Sequence, residues 1–314
     1  MLEEKSTILI TGALGHIGSR LIRDLPDALA GELVLLDNLE SQRYCSLFNL
    51  PKKFRYSFFE DDVRTADMDK YLAAVDVVIH LAALTNAESS QSRVAEVEAV
   101  NLDGLKRVAD ACAKHKVKLF FPSTTSVYGS QAARVDETCQ ELQPQSPYAT
   151  TKLAAERYLS RLGVEQGLQF VVCRLGTIFG ASVGMRYHTA VNKFLWQAVT
   201  GQPLTVWQTA WRQKRPYLDL GDCVRALSLI LEKGLFDGQV YNVLTNNFTV
   251  EEIVSQIKSF VPGATVKYVD SPIMNQLSYE VDDSRFRQQG YVPRGSLEVG
   301  IGESINLLSA VKVR

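Results

Sequence analysis

The chain has 314 residues, 46% of them hydrophobic and 22% charged, which excludes a disordered or collagen-like polymer and predicts about two domains. Its 34 basic residues against 35 acidic ones leave a formal charge of −1, with no global field to draw nucleic acid or acidic lipid. The longest apolar candidate, Leu72 to Leu84, is broken by Asp76 and His80 and falls short of the roughly 18 residues of a membrane span.

The start, MLEEKSTILITG, is acidic and enters a strand within six residues, unlike a secretory leader. Strands are predicted at Thr7–Thr11, Glu32–Leu36, Arg55–Glu60, Val75–His80, Lys118–Ser123 and Gln169–Leu175. Between them, helical patterns run over Ile17–Asp24, Met68–Ala73, Val94–Lys116 and Pro147–Glu165. Fully apolar strands such as VVIH, alternating with helices, predict a doubly wound parallel α/β sheet covered on both faces. After Arg174 the rhythm breaks: Gly176–Arg186 reads as loop and Ala190–Thr200 as a helix. Arg215–Gly234 and a strand Gln239–Val243 read as a return to the first domain. A helix Val250–Phe260 and a strand Val266–Val269 follow. The expected division is therefore 1–175 with a return segment 215–245, and a smaller discontinuous lobe of 176–214 and 246–314.

Five cysteines (Cys45, Cys112, Cys139, Cys173, Cys223) form no CxxC pair and read as reduced thiols of a cytoplasmic protein. Four scattered histidines, with no HExxH, argue against a zinc site, and no metal is expected.

Chemistry concentrates in three places. In the first, the strand Thr7–Thr11 runs into Gly12-Ala-Leu-Gly15-His-Ile-Gly18 and then a helix. Gly12 permits a tight turn, Gly15 lets a pyrophosphate approach the backbone, and Gly18 lets the helix pack closely. The helix amino terminus offers N–H groups to phosphate. Asp37, nineteen residues after Gly18, suits the adenosine ribose hydroxyls and repels a 2′-phosphate, which favours NAD over NADP. Asp62, after the third strand, could accept from the adenine amino group or be an ordinary loop carboxylate.

In the second, Tyr148 and Lys152 stand four apart in SPYATTK, with Ser146 as N-cap and Pro147 at the first helical position. One helix face then carries phenol and ammonium together. A phenol of pKa about 10 acting as a base near neutrality needs a shift of roughly three units, ~4 kcal/mol, within reach of two nearby cations in a closed cleft. Such pairs also occur on ordinary surfaces; the position after the fifth strand, in a chain with this glycine loop, favours chemistry. In the third, PSTTSVYG at the end of that strand offers the Thr124 hydroxyl to the oxygen that Tyr148 would deprotonate, or is simply a polar turn.

Together TGALGHIG, LLDN, HLAA, STTSVYG, YATTK, RLGTIFG, RPYLDLGD and YNV resemble the extended short-chain dehydrogenase/reductase family over nearly the whole chain. The likeness is to its NAD-dependent nucleotide-sugar epimerase/dehydratase branch, of the UDP-glucose 4-epimerase kind. The resemblance implies a Rossmann sheet and a catalytic set of Thr124, Tyr148 and Lys152. It places Gly12, Gly15, His16, Ile17, Gly18, Asp37, Asn38, Asp62 and Val63 at the cofactor together with Tyr148 and Lys152, the lysine holding the ribose, with Leu81, Ala82, Ala83, Asn101 and Ser123 bordering it. It also implies Thr85, Thr124, Thr125, Thr177, Lys193 and Arg215 on a nucleotide-diphosphate sugar, Arg215 clamping the diphosphate. A homodimer through a four-helix bundle, matched by Val94–Lys116 and Pro147–Glu165, is the further implication. Three departures stand out: Thr177 for the usual asparagine, Ser278 for a second diphosphate arginine, and His16 for the usual aromatic residue.

The expected activity is epimerisation at C4 through a transient 4-keto sugar. Tyr148 takes the hydroxyl proton, NAD takes the hydride, and the hydride returns to the opposite face. The rivals are a lyase (4,6-dehydratase or decarboxylase) and a non-catalytic dinucleotide sensor. Family dehydratases follow the threonine with Asp and Glu, and decarboxylases carry Glu at the second position. Here stand Thr125 and Ser126, so elimination would need another carboxylate such as Glu88 or Asp219.

Overall fold

Strand β1 (Thr7–Thr11) is buried from Ile8 onward, as its continuous apolar run requires of a strand covered on both faces. The computed structural model describes residues 5–87, 89–129, 134–270 and 279–308. After β1 come α1 (His16–Asp24), β2 (Glu32–Asp37), β3 (Arg55–Glu60), α2 (Met68–Leu72) and β4 (Val77–His80). Next are α3 (Val94–Glu98), α4 (Gly104–His115), β5 (Lys118–Thr124), β6 (Arg134–Val135), α5 (Pro147–Gln166) and β7 (Phe170–Leu175). The remainder is β8 (Thr177–Phe179), α6 (Ala190–Val199), β9 (Leu204–Trp207), β10 (Lys214–Asp219), α7 (Leu220–Lys233) and β11 (Val240–Val243). It closes with β12 (Asn246–Thr249), α8 (Val250–Phe260), β13 (Val266–Val269), β14 (Glu280–Val281), α9 (Ser284–Gln288) and α10 (Leu297–Leu308).

Seven strands form one parallel sheet in the order β11-β7-β5-β4-β1-β2-β3. One face packs Ile8, Ile10 and Leu33 against α1 and α7, including Leu21, Ile22 and Leu227. The other packs Leu9, Val78 and Phe121 against α4 and α5, including Leu105, Val108 and Leu159. Each such fully buried aliphatic side chain contributes roughly 1.5–3 kcal/mol, so the two-sided cover accounts for the parallel arrangement energetically. The doubly wound sheet expected from the alternation is the observed fold.

Three local differences have physical causes. The helix over 94–116 is interrupted by a wide π turn at Ala99–Asp103, where the Asn101 side chain turns to bind the Leu84 backbone. The stretch Gly176–Arg186 is not all loop: Thr177–Phe179 pairs with β10, a strand too short for any alternation to be legible. Strand β10, at the start of the segment read as a return to the first domain, pairs with β8 and β12 in a separate three-stranded sheet. The chain regains the large sheet through α7 and β11. A third core, with Phe194, Leu195, Ile253 and Ile257, joins α6, α8 and α10.

Asp219 caps α7, accepting from the N–H groups of Gly221 (2.8 Å) and Asp222 (3.2 Å). One turn inside, the wholly buried Asp222 accepts from the Thr245 hydroxyl, the Arg225 guanidinium and the backbone N–H groups of Arg294 (2.7 Å) and Gly295 (3.0 Å). This carboxylate ties α7 to the segment that leads into α10. Asp222→Ala strands several buried donors and is expected to lower stability by about 3 kcal/mol, read as a fall in the urea midpoint at unchanged slope.

Candidate active site

The carboxyl ends of β1, β2, β4, β5 and β7 open on one side, and the smaller lobe faces them across a cleft of about 770 Å³. At its floor Gly12 has φ of +63°, and a Cβ there would lie 2.6 Å from the Ala82 nitrogen. Only glycine lets the β1 turn and the β4 end approach this closely. Gly18 packs against the loop itself, since its Cβ would fall 2.4 Å from the Ala13 oxygen. Gly15 is the N-cap of α1, at the cleft wall, so α1 aims its free N–H groups into the opening. Asp37 accepts from the N–H groups of Leu14 and Leu39, both at 3.0 Å, fixing the carboxylate at the cleft edge and the glycine loop beside it. A turn that leaves no room for side chains, a helix amino terminus and an edge carboxylate together fit a dinucleotide with free ribose hydroxyls.

Val63, Leu81, Ala82, Ala83 and Ile17 also line this end of the cleft, with Asn38 and Asp62. Asp62 accepts from Asn38, from the Arg64 backbone and twice from the Arg64 guanidinium. Arg64 holds its carboxyl well below the usual range, so Asp62 stands as a carboxylate on the cleft lining. Asn101 does not line the cleft: it stands behind, clamping both the N–H and the carbonyl of Leu84 at 2.8 and 2.9 Å.

At the other end, β5 delivers Ser123 and Thr124 while α5 delivers Tyr148 and Lys152. The expected cap is in place, with Ser146 accepting from Ala149 at 3.2 Å and Pro147 at N1. The Tyr148 phenol hydrogen-bonds Thr124, and Lys152 donates to the Pro122 carbonyl at 2.7 Å with its ammonium 4.4 Å from the Phe121 ring centroid. Burial pushes the Tyr148 phenol up, while Arg186 and the Thr124 hydrogen bond pull it down. Burial brings Lys152 down to about 7, with Glu156 opposing. Thr85, Thr125, Thr177, Lys193 and Arg215 line the same end, Thr85 with its hydroxyl buried and unpartnered. Thr125 donates to the Leu175 carbonyl at 3.3 Å. The Arg215 guanidinium lies 4.9 Å from the Tyr279 ring centroid. Ser278 and Glu88 lie outside the described residues.

A sequence profile described as "NAD dependent epimerase/dehydratase family" matches residues 8–243. The chain belongs to that family. It is 30% identical to an uncharacterized UDP-glucose epimerase of Bacillus subtilis over 97% of this chain and 98% of that one. It is 27% identical to a dTDP-D-glucose 4,6-dehydratase of Bos taurus, over 95% of this chain and 87% of the relative. The crystal structure of a UDP-glucuronic acid 4-epimerase from Bacillus cereus, in complex with UDP-glucuronic acid and NAD, superposes with a TM-score of 0.88. That likeness spans 96% of this chain and 99% of the other at 26% identity. The cofactor of this epimerase/dehydratase family member is NAD.

Sequence reasoning missed what the loop between β8 and α6 does. It straps the smaller lobe onto the glycine loop. His16 Nδ1 meets the Ser182 hydroxyl at 2.8 Å, Gly184 donates to Ser19 Oγ at 2.9 Å, and Arg20 donates to the Ala181 carbonyl at 3.1 Å. Burial, then Arg186, brings His16 down to about 3, so the imidazole is neutral at physiological pH. The departure at His16 is therefore a hydrogen-bonded joint between lobes. The strap also returns Arg186 to the cleft near Tyr148, with its Nε buried and unpartnered. No motif spacing marks that arginine; only the bound strap brings it there. Among the described residues no cluster of His, Cys, Asp or Glu could hold a metal ion, and no helix is long and apolar enough to cross a membrane.

A Cβ at Gly184 would sit 2.4 Å from the Leu14 oxygen and 2.6 Å from the Gly15 oxygen. Gly184→Val is expected to lift the strap and weaken NAD binding about tenfold, ~1.4 kcal/mol by calorimetric titration, with the thermal midpoint of the sheet little changed. Asp37→Ala is expected to cost NAD more than NADP, since it removes both a ribose acceptor and the repulsion of a 2′-phosphate. Equilibrium titration with both dinucleotides reads the narrowed preference.

Proposed function

We propose that the protein is a nucleotide-sugar 4-epimerase with Tyr148 as the base. The observation that carries this reading is the distribution of acid in the cleft. Among the described lining residues the carboxylates are Asp37, Glu40, Asp61 and Asp62, all at the cofactor end beside β2 and β3. Thr125 and Ser126 follow Thr124, and Asp219 is spent on the α7 cap. Loss of water across C5 and C6 needs a second acid or base beside the sugar, and the described sugar end offers none.

NAD, when bound, supplies the hydride acceptor and donor. The chain does the rest. Tyr148 receives the C4 hydroxyl proton, Thr124 holds the same oxygen, and Lys152 charges the environment of the phenol. Arg186 adds a second cation that favours the phenolate. Arg215 and Lys193 suit the diphosphate, in the bidentate and point-charge manner of their head groups. The sensor reading has no use for a hydrogen-bonded Tyr148–Thr124 pair above a buried lysine.

Within this reading the sugar is a hexuronate carried on UDP. Arg186 is drawn down to about 10 by burial and by Arg43, and its Nε lacks a partner. A carboxylate at C5 compensates that charge, whereas a hydroxymethyl group leaves it buried and unmatched. Relatives acting on UDP-glucose and UDP-glucuronic acid support the nucleotide. We place the protein in the cytoplasm, supported by five free cysteines, and as a homodimer through the α4 and α5 faces.

Turnover of a nucleotide-sugar panel is expected to yield an epimer pair of equal mass, fastest with UDP-glucuronate, and without solvent deuterium at C5 in heavy water. A dehydrated or decarboxylated product at a competent rate overturns the epimerase reading. Tyr148→Phe should lower turnover about 10³-fold with NAD binding kept. Arg186→Met should cost the uronate about 2–3 kcal/mol in kcat/KM and the neutral hexose less.

A further inference from the structure

Behind the catalytic lysine lies an ion pair with both side chains almost wholly buried, Glu156 at 6% and Arg174 at 5% exposure. Arg174 donates through Nη2 to Oε2 at 2.7 Å and through Nε to both carboxylate oxygens at 3.1 and 3.2 Å. The Ser123 hydroxyl donates to Oε1. One carboxylate on α5 therefore ties the end of β5 to β7. The guanidinium rests over the Tyr128 ring, 4.9 Å from its centroid, and Tyr128 donates to Asn242 at 2.8 Å.

Taking two such charges out of water costs several kcal/mol each, and apolar residues would hold a helix on a sheet with less penalty. The charge therefore calls for a local use, and the helix supplies one. Tyr148, Lys152 and Glu156 follow at intervals of four on α5, so they lie along one face. Lys152 is 3% exposed and, among the described residues, its direct partners are a carbonyl and an aromatic ring. The charged and titratable groups around it come from three elements. His80 on β4 is neutral, held down to about 3 by burial. Tyr148 shares the helix and is protonated at rest. Arg174 on β7 is cationic and lies beyond the carboxylate. Glu156 is the anion among them, and it opposes the loss of the lysine's proton.

We propose that Glu156 is the positioning residue of the catalytic lysine: clamped by Arg174 and Ser123, it gives the Lys152 ammonium its counter-charge and holds the end of β5 in register with α5. Glu156 thereby sets the alkaline limit of NAD binding and turnover. Ser123, Pro122 and Thr124 are consecutive in their neighbourhood of β5, so the same clamp that presents the carboxylate also places the carbonyl under Lys152 and the hydroxyl on Tyr148. The inference rests on Lys152 serving the cofactor and the phenol, and not on the identity of the sugar.

The test reads the ammonium directly. In protein labelled with 13C at the lysine Cε, the Lys152 resonance, assigned by its loss in Lys152→Met, is titrated in Glu156→Gln and Arg174→Gln. Removing the anion should lower the midpoint by about one pH unit, and removing the cation should raise it. The pH above which NAD affinity falls, measured by calorimetry, should move with it in each variant, and Glu156→Asp should restore the wild-type position. A merely structural clamp lowers the thermal midpoint in both variants and leaves the lysine midpoints unmoved, or moves them the same way. Either result overturns the proposal. If Glu156→Gln does not fold, Arg174→Gln decides alone: a raised midpoint supports the proposal and an unchanged or lowered one refutes it. Neither readout uses substrate, so a wrong sugar or reaction type leaves this test untouched.

Discussion

Parallel pairing of β1 with β4 and of β4 with β5 sets Thr11 opposite His80 and Ile79 opposite Phe120. The ends of β1 and β4 therefore stop at the same height and β5 runs on past them to Thr124, so the glycine turn, the Leu81–Ala83 segment and the Ser123–Thr124 hydroxyls share one edge. Antiparallel pairing would have sent alternate ends to the opposite edge and divided the same residues between two surfaces. The close contact between Gly12 and Ala82 is the tightest consequence, because it requires both a residue without Cβ and a fixed register between β1 and β4.

Charge is sorted along the cleft that this edge creates. Carboxylates gather beside β2 and β3, where ribose hydroxyls want acceptors. Arg186, Lys193 and Arg215 on the smaller lobe and Lys152 on α5 are cations without a cleft carboxylate beside them, whereas Arg43 and Arg93 stand among the carboxylates. Burial acts in opposite senses on Tyr148 and Lys152, the groups proposed for catalysis, raising the phenol and lowering the ammonium. Each shift works against the state that base catalysis needs, so neighbours must oppose it: Arg186 and Thr124 for Tyr148, Glu156 for Lys152. Catalytic competence in this cleft is a balance between desolvation and a few placed charges.

The smaller lobe is held to the large sheet by directional polar contacts and by apolar side chains, Phe286 and Tyr291 among them, that enter a core of the sheet. Its own core around Phe194 and Ile257 is separate from the two cores that cover the sheet. The joints are the buried Asp222 carboxylate at one side and the His16–Ser182 and Ser19–Gly184 contacts at the other. Hydrogen-bonded joints of this kind fix orientation while leaving a cleft between lobes wide enough for two nucleotides.

Much of this protein was determined by sequence alone, because the informative signals are local. An apolar run located β1, β-branched and aromatic patterns located β3 and β13, and helical periodicity located α8, all at their observed limits, while the Ser146-Pro147 start located α5. The glycine spacing, the carboxylate after β2 and the Tyr148/Lys152 interval each reflect a single turn, strand end or helical repeat, so they are legible without the fold. Tertiary structure alone decided what depends on partners distant in the chain. Strand β8 exists because β10 accepts it, and Asn101 props Leu84 behind the wall because a π turn redirects it. Asp62 is met by Arg64 and Asn38. Glu156 meets Arg174 eighteen residues away, and His16 meets Ser182 across 166, by contacts that no periodicity encodes. Such groups acquire a role only when folding removes water from both partners at once, which is a property of the packed chain and not of any segment in it.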